Sequence, residues 1–445
     1  MTANDSVIAL DYTPTLVELA DFFSHLPGFA YLDSGDREGS AELEIVTALP
    51  TSTHKLADYS NNLAEWMTAI ETELSHDSRV GSTDSAASVS AGCVAIGSLD
   101  YDAPAGALSR ADTTPSLTSA GIYHWLLMTH RGTRRTQVIF HPKCSAETRA
   151  CVIGVLDADG EASIGSFSLK RPFASSISKA QYQQAIERIQ QYILAGDCYQ
   201  VNFAQRFEAE FMGDPWTAYR AARTHLAGGF SAYLTLSEGH TILSLSPERF
   251  LRIEGGVITT QPIKGTAPRN LDPDKDAELA RALLDSEKDR AENIMITDLL
   301  RNDLGQFCEP GTVTVTELCG LHSFSNVHHL ISTVRGTLKK GTTPGHMLLA
   351  SSPGGSITGA PKKRAIEIIN ELESHPRGAY CGSIFVLAGG GWLQSSIAIR
   401  TLEIRGNTLQ CWGGGGITAS SHWEAEYQET LDKVGPIMDA LDALS

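Results

Sequence analysis

The chain lacks several features that would each assign it to a class. It has no surplus of positive charge: 52 acidic against 35 basic residues give a formal net charge of −17 over 445 residues. That excludes a surface built for nucleic acid or for an anionic membrane. No run reaches the roughly 18 apolar residues a membrane-crossing helix needs. The start, Met1-Thr2-Ala3-Asn4-Asp5, lacks the basic-then-apolar pattern of a secretory leader, so a cytoplasmic protein is expected. Eight cysteines (93, 144, 151, 198, 308, 319, 381, 411) include no C-x-x-C pair and no dense framework; they read as reduced, mostly buried thiols. The G-x-C-x-G nucleophile motif of class I glutamine amidotransferases is missing as well. Gly92-Cys93-Val94-Ala95-Ile96-Gly97 lacks the second glycine at that spacing and reads as an apolar strand.

What is present is ordinary in bulk, with 42% hydrophobic and 20% charged residues, values typical of a globular protein. The length predicts two domains or one multilayer domain. A boundary is expected at Leu169-Lys170-Arg171-Pro172, giving regions 1–172 and 173–445. Ser75–Ser90 and Tyr101–Ser119 read as surface loops. Strands are expected at Phe29–Leu32, Gln137–Phe140, Ala232–Leu236, Thr241–Leu245, Phe250–Thr259, Ser383–Leu387, Ser395–Glu403 and Thr408–Trp412. Helices are expected after Ser178 up to Gly196, over Asp289–Leu304, over Pro361–Glu373 and at the C-terminal end. Hairpins mixed with long helices imply an α+β fold with largely antiparallel sheets.

Six stretches carry chemistry. In Gln261-Pro262-Ile263-Lys264-Gly265-Thr266 a lone lysine sits among apolar, glycine and proline residues. An amine held in such a dry site loses hydration, so its pKa falls and its nucleophilicity rises; a lysine in a surface turn is the plainer alternative. Asp289 and Glu292, and Glu426 and Glu429, are acidic pairs three apart, which puts each pair on one helix face. Either these faces are solvated or they share a cation, and hard oxygens without histidine or cysteine favour Mg2+. Gly413–Gly416, leading to a Ser421/Glu424 capping box, and Gly354–Pro361 read as glycine-rich helix starts able to bind anions, or else as plain tight turns. The second is not a P-loop, because no Gly-Lys-[Ser/Thr] closes it. Finally, Ser246-Pro247-Glu248-Arg249 ends an apolar strand. There Glu248 is either a buried general acid or the partner of Arg249 in a salt bridge.

These stretches together resemble the chorismate-utilising enzymes of the anthranilate synthase component I family, and within it the aminodeoxychorismate synthase component I proteins, whose PIKGT signature matches residues 262–266. Anthranilate synthases usually carry alanine at the lysine position. The resemblance covers residues 177–436 closely and the first 170 thinly. It implies a large antiparallel β-sandwich with peripheral helices, with the two regions packing as one unit. By the same resemblance Lys264 attacks the chorismate ring covalently and Glu248 protonates the departing C4 hydroxyl. Glu292 (of A-E-[HN]) and Glu429 (of E-T-x-x-K) hold Mg2+, helped by Asp289 and Glu426. The resemblance further implies that Asn202, Thr266, His329, Thr358, Arg400, Gly414, Gly415 and Lys433 contact the substrate. Lys433 also stands four after Glu429, where an ordinary helix ion pair would form. Gln200 stands where water-adding relatives have a lysine. Ser34, Phe230 and Ser231 match positions that hold tryptophan in some relatives, although Gly229 replaces a proline and residues 36–44 depart from that pattern. With no glutaminase motif in the chain, the resemblance implies ammonia delivered by a separate class I glutamine amidotransferase subunit, within folate biosynthesis.

Overall fold

The computed structural model describes residues 6–35, 43–77, 89, 92–105, 116–158, 160, 162–226, 228–237, 239–324 and 327–445. Two antiparallel sheets face each other, the layered arrangement expected of the α+β class. One has 12 strands and runs, edge to edge, Val7–Leu10, Arg135–Phe140, Trp125–His130, Leu43–Thr47, Ala30–Asp33, Phe230–Ser237, His240–Ser246, Thr401–Arg405, Thr408–Ile417, Gln200–Gly213 and Gly359–Ala360, with Phe167–Ser175 also paired to Gln200–Gly213. The other has 10 and runs Ile263–Pro268, Val327–Thr337, Val257–Thr260, Arg249–Glu254, Trp392–Ile397, Ser383–Ala388, Val94–Leu99, Ser119–Tyr123 and Ser52–Lys55, with Thr314–Ser323 paired to Val327–Thr337. The position of the expected boundary falls inside the strand Phe167–Ser175, and both sheets draw strands from either side of it.

Between the sheets, Ala30, Ile45, Leu126, Leu234 and Ile242 of the first meet Val94, Ile96, Ile384, Val386 and Trp392 of the second. The outer faces are covered in turn. Helices Pro215–Leu226 and Trp423–Asp442 bury Trp216, Tyr219, Val434 and Ile437 against Phe207, Leu243 and Leu402. Helix Leu63–Asp77 packs Trp66, Met67 and Ile70 onto the second sheet. Strands covered on both faces need no polar alternation, and Val94–Leu99, Ser119–Tyr123 and Ser383–Ala388 are buried at every position. The Gly92–Gly97 segment is therefore largely core strand, as its apolar character predicted.

Helix Lys179–Leu194 starts with a full capping box between Ser178 and Gln181, in line with the periodicity after Ser178. Two expectations are corrected. The single strand expected over Ser395–Glu403 is two strands in different sheets, Trp392–Ile397 and Thr401–Arg405, broken where Arg400 takes a left-handed φ of 51°. The Ser421/Glu424 capping box does not form: helix Trp423–Asp442 has His422 at its N-cap with no side-chain cap, while Ser421 Oγ accepts from Thr418 N at 3.1 Å. The loops expected at Ser75–Ser90 and Tyr101–Ser119 lie largely outside the described residues. Of what is described there, residues up to Asp77 are helical, Tyr101 is buried and Ser119 begins a strand. Among the described residues no helix is long and apolar enough to cross a membrane.

Candidate active site

Two places where the chain passes from one sheet to the other lie side by side. Ser246-Pro247-Glu248 leads from strand His240–Ser246 into Arg249–Glu254, and Ala398-Ile399-Arg400 leads back from Trp392–Ile397 into Thr401–Arg405. They are stitched together by Leu245 N donating to Arg400 O at 3.0 Å, Ile397 N donating to Glu248 O at 3.2 Å and Ser246 Oγ donating to Ile397 O at 2.6 Å. Glu248 and Arg400 thus share one corner of the sandwich, although 152 positions separate them in sequence.

Glu248 is buried, and its Oε1 accepts from Ser356 Oγ at 3.0 Å. Burial pushes its carboxyl up to about 7, against the opposing pull of Lys264, the Ser356 hydrogen bond and Lys433. The Arg249 alternative is decided: among the described residues its guanidinium donates to Gln261 Oε1 at 2.6 Å and lies over the Phe230 ring, with no bond to Glu248.

Lys264 occupies the edge strand Ile263–Pro268. Burial lowers its pKa from the ordinary lysine value, opposed by Glu292, Glu248 and Glu429 and assisted by Lys433. Lys264 is half-buried and stands in a strand paired with Val327–Thr337, not in an isolated surface turn. Gly265 follows with a φ of 84°, and a Cβ there would stand 2.9 Å from the Cβ of Asp289. Only glycine permits both that backbone and that close approach, so the irregular strand segment presenting Lys264 rests on the helix that carries Glu292.

The acidic pairs face one another across two helices. On helix Glu287–Gly305, burial raises Glu292, with Lys264 and Lys288 opposing and Asp289 and Glu429 assisting. Asp289 Oδ2 accepts from the N-cap Ser286 Oγ at 2.5 Å. On the C-terminal helix, burial raises Glu426 against its hydrogen bond from Ser421. Glu429 is also partly buried, but Lys433, bonded at 2.7 Å, and Lys288 outweigh this and hold its pKa below the ordinary value. The helix ion pair of Lys433 with Glu429 forms, and its Nζ also donates to Gly414 O at 2.8 Å.

Gly413–Gly416 is not an anion nest at a helix start. It belongs to strand Thr408–Ile417, with Asn202, Phe203 and Ala204 opposite Gly416, Gly415 and Gly414. Pairing with Thr401–Arg405 stops at Cys411, so beyond it the strand leaves one backbone edge free of that neighbour. The missing side chains make room: a Cβ on Gly415 would sit 3.1 Å from Glu426 Oε2 and 3.7 Å from Glu429 Oε1, and one on Gly416 would collide with the Gln200 amide at 1.8 Å.

Gln200 and Asn202 point the same way from one strand, being two apart. Both are buried, and Gln200 Oε1 and Asn202 Nδ2 have no hydrogen-bond partner among the described residues. Arg400 is partly buried with its pKa lowered by burial, and its guanidinium has no bonded partner among the described residues. His329 Nδ1 lies 2.9 Å from Thr266 Oγ1. Thr358 is fully buried and donates to Gly354 O at 2.9 Å, and its carbonyl accepts from Asn202 N at 2.8 Å. The turn Gly355–Ile357 and helix Lys362–Leu372, which begins after Pro361, flank it.

Of the residues matched to a tryptophan position, Phe230 pairs with Ser246 and lies under the Arg249 guanidinium, next to Glu248. Ser34 Oγ donates to Glu44 Oε1 at 3.2 Å, and Ser231 Oγ donates to Gly228 O at 3.0 Å. Phe230 and Ser231 line a cavity of about 40 Å3. Sequence reading missed Ser356 and Lys288, which carry no pattern of their own and are brought in by the fold.

The arrangement offers a half-buried lysine amine, a buried carboxyl pushed up to about 7, opposed carboxylates, and Arg400, whose guanidinium has no bonded partner among the described residues. Residues 30–439 match the model of the chorismate binding enzyme family. The chain is 45% identical over 337 residues to aminodeoxychorismate synthase component 1 of Klebsiella aerogenes, covering 75% of this chain and 73% of that protein. It is 41% identical over 261 residues to anthranilate synthase component 1 of Pseudomonas aeruginosa, covering 59% and 53%. In fold it is similar to the crystal structure of anthranilate synthase component I from Streptococcus pneumoniae, with a TM-score of 0.73, 24% identity and coverage of 98% and 93%. The chain belongs to the family of chorismate binding enzymes.

Proposed function

We propose that this chain aminates chorismate at C4 to give 4-amino-4-deoxychorismate, for the para-aminobenzoate branch of folate synthesis, with ammonia released by a separate class I glutaminase subunit. The observation that carries this reading is Lys264, an amine with a burial-lowered pKa in electrostatic reach of Glu248, Glu292, Glu429 and Lys433. A neutral amine is a nucleophile and an ammonium is not. Lys264 Nζ adds at ring C2, the conjugated double bonds shift, and the C4 hydroxyl leaves as water with the proton of Glu248. Ammonia then adds at C4, the double bonds shift back, and the C2–N bond breaks to return the lysine. The ammonium formed at C4 gives a proton back to Glu248. A pKa of about 7 suits a group that must donate and then accept.

Arg400 and Lys433 answer the two carboxylates of the substrate, with Asn202, Thr266, His329, Thr358, Gly414 and Gly415 lining the rest of the pocket. The donor set suits Mg2+: Glu292 and Glu429 offer hard carboxylate oxygens within electrostatic reach of one another, and Mg2+ takes one or two carboxylates and completes its shell with water and substrate. Glu292 and Glu429 would hold it, with Asp289 and Glu426 behind them, in the space Gly415 leaves beside Glu426 and Glu429. Bound there, the ion supplies positive charge against the ring carboxylate.

The test is product analysis with chorismate, Mg2+ and ammonium. The expected product is 4-amino-4-deoxychorismate; anthranilate, isochorismate or salicylate as the main product would sink the reading. Without ammonia, chorismate should leave a mass adduct on the peptide carrying Lys264, and Lys264→Ala should abolish it.

A further inference from the structure

A cavity of about 890 Å3 opens at the other end of the strand that leads to Glu248. Strand His240–Ser246 carries Thr241 on the cavity wall and Ser246 at the active-site corner. Five residues of strand separate the two by roughly 17 Å, so the cavity is no part of the site described above. Its volume lies in the range of small-molecule pockets, roughly 300–1,000 Å3.

The wall has a marked charge character. No aspartate or glutamate stands among its described residues, in a chain that has 52. Lys143 is on the wall, and beside it Ser145 caps helix Ala146–Leu156, accepting from Thr148 N at 3.0 Å. That puts the positive end of an 11-residue helix at the cavity. The first-turn acid of this helix, Glu147, is exposed and off the wall. His124, also on the wall, is buried, with Nδ1 3.0 Å from Thr51 Oγ1 and its ring 4.9 Å from that of His141. Burial lowers the pKa of His124, so near neutrality Lys143 is the main cation here. Glu73, the acid acting on His124, is held by His54 Nε2 at 2.8 Å and Ser52 Oγ at 2.6 Å.

Thr241 points independently to a ligand. It is only 8% exposed and lines the cavity, yet its hydroxyl makes no hydrogen bond among the described residues. A buried hydroxyl left unpaired is costly, and a polar atom inside the cavity would remove that cost. The rest of the wall is partly apolar, with Leu26, Pro27, Pro50 and Leu236. We propose that this cavity is a second binding site, for a small organic anion with an apolar body. The carboxylate or phosphate lies at Lys143 and the helix start, the body lies along the leucines and prolines, and Thr241 bonds to the ligand. The inference does not depend on the amination reading.

The test is calorimetric titration of the whole chain, without chorismate, with phenyl phosphate, benzoate, inorganic phosphate and benzyl alcohol. Phenyl phosphate or benzoate should bind roughly tenfold or more tightly than the bare ion and the neutral alcohol, and the better of the two identifies the head group. Thr53→Trp, at an exposed wall position, fills the cavity and should abolish binding. Lys143→Gln should weaken it roughly fivefold, with a smaller loss at high salt. Thr241→Val should weaken it several-fold while leaving the unfolding midpoint unchanged, because the hydroxyl has no partner to lose. Arg400→Gln, which alters only the active site, should bind as wild type does. Three results would each overturn the proposal: neither aromatic anion binding at millimolar concentration, binding that persists in Thr53→Trp, or binding lost in Arg400→Gln. Benzyl alcohol binding as tightly as the anions would overturn the ligand class.

Discussion

The hydroxyl of Ser356 sets the working pH of the proposed acid. It donates to Glu248 Oε1 at 3.0 Å and opposes the burial that pushes this carboxyl up to about 7. A hydrogen bond to a charged group contributes about 1.5–3 kcal/mol, and each pKa unit corresponds to about 1.4 kcal/mol. In Ser356→Ala the charged form loses that support, so the Glu248 pKa should rise by roughly one to two units. Glu248 must be protonated to release the hydroxyl, so activity falls as pH rises through its pKa, and the variant should carry that falling limb to higher pH. Adduct formation on Lys264 without ammonia is the assay, since ammonia's own ionisation does not enter. The rising limb, set by neutralisation of Lys264, should move little by comparison. A falling limb that stays in place, or moves to lower pH, would refute Glu248 as the donor.

Other expectations follow from the same geometry. Because burial raises Glu248 above its ordinary value of 4.5, the cost of ionising it is absent below that value and grows as pH rises through about 7. Glu248→Gln should therefore abolish adduct formation while stabilising the fold at alkaline pH, by about 3 kcal/mol at most; a chemical-denaturation series across pH checks both size and sign. Gly415→Ala places a methyl 3.1 Å from Glu426 Oε2, and metal titration without substrate should show divalent-ion affinity lowered by about tenfold. Arg377 is buried, donates twice to Glu373 and also to the carbonyls of Ile357 and Asn202. Arg377→Met leaves Glu373 buried without its cation and should cost about 3–5 kcal/mol in denaturation.

Legibility in the sequence divided along a physical line. Local signals survived folding: the Ser178 cap, the apolar run at Val94, and the helices bearing Glu292 and Glu429 all sit where periodicity and propensity put them. What failed was whatever depended on a distant partner. Ser395 to Glu403 has the composition of one strand, and nothing local announces that it must leave one sheet for the other at Arg400. The four glycines at 413–416 suggested an anion-binding helix start or a tight turn, because glycine lets backbone N–H groups converge. They are strand because Gln200–Gly213 supplies the ladder while the Gln200 amide and the Glu426 and Glu429 carboxylates need the vacated space. Ser356 reached no prediction because its one partner is 108 positions away.

The charge balance of the site explains why a chain with a net charge of −17 can accept a dianion. Lys264, Lys433 and Arg400 gather within a corner whose acids are not all charged: burial raises Glu248, Glu292 and Glu426, and only Glu429 is held low, by Lys433 and Lys288. Near neutrality part of the local negative charge is therefore absent before anything binds. A divalent cation between Glu292 and Glu429 would draw those carboxylates towards ionisation and add its own charge. Metal and proton thus compete for the same oxygens, so the metal's affinity should weaken as pH falls through the raised pKa of Glu292. Titration of metal binding at several pH values, without substrate, reads this directly. An affinity that does not change between mildly acidic and alkaline pH would mean that Glu292 and Glu429 are not its ligands.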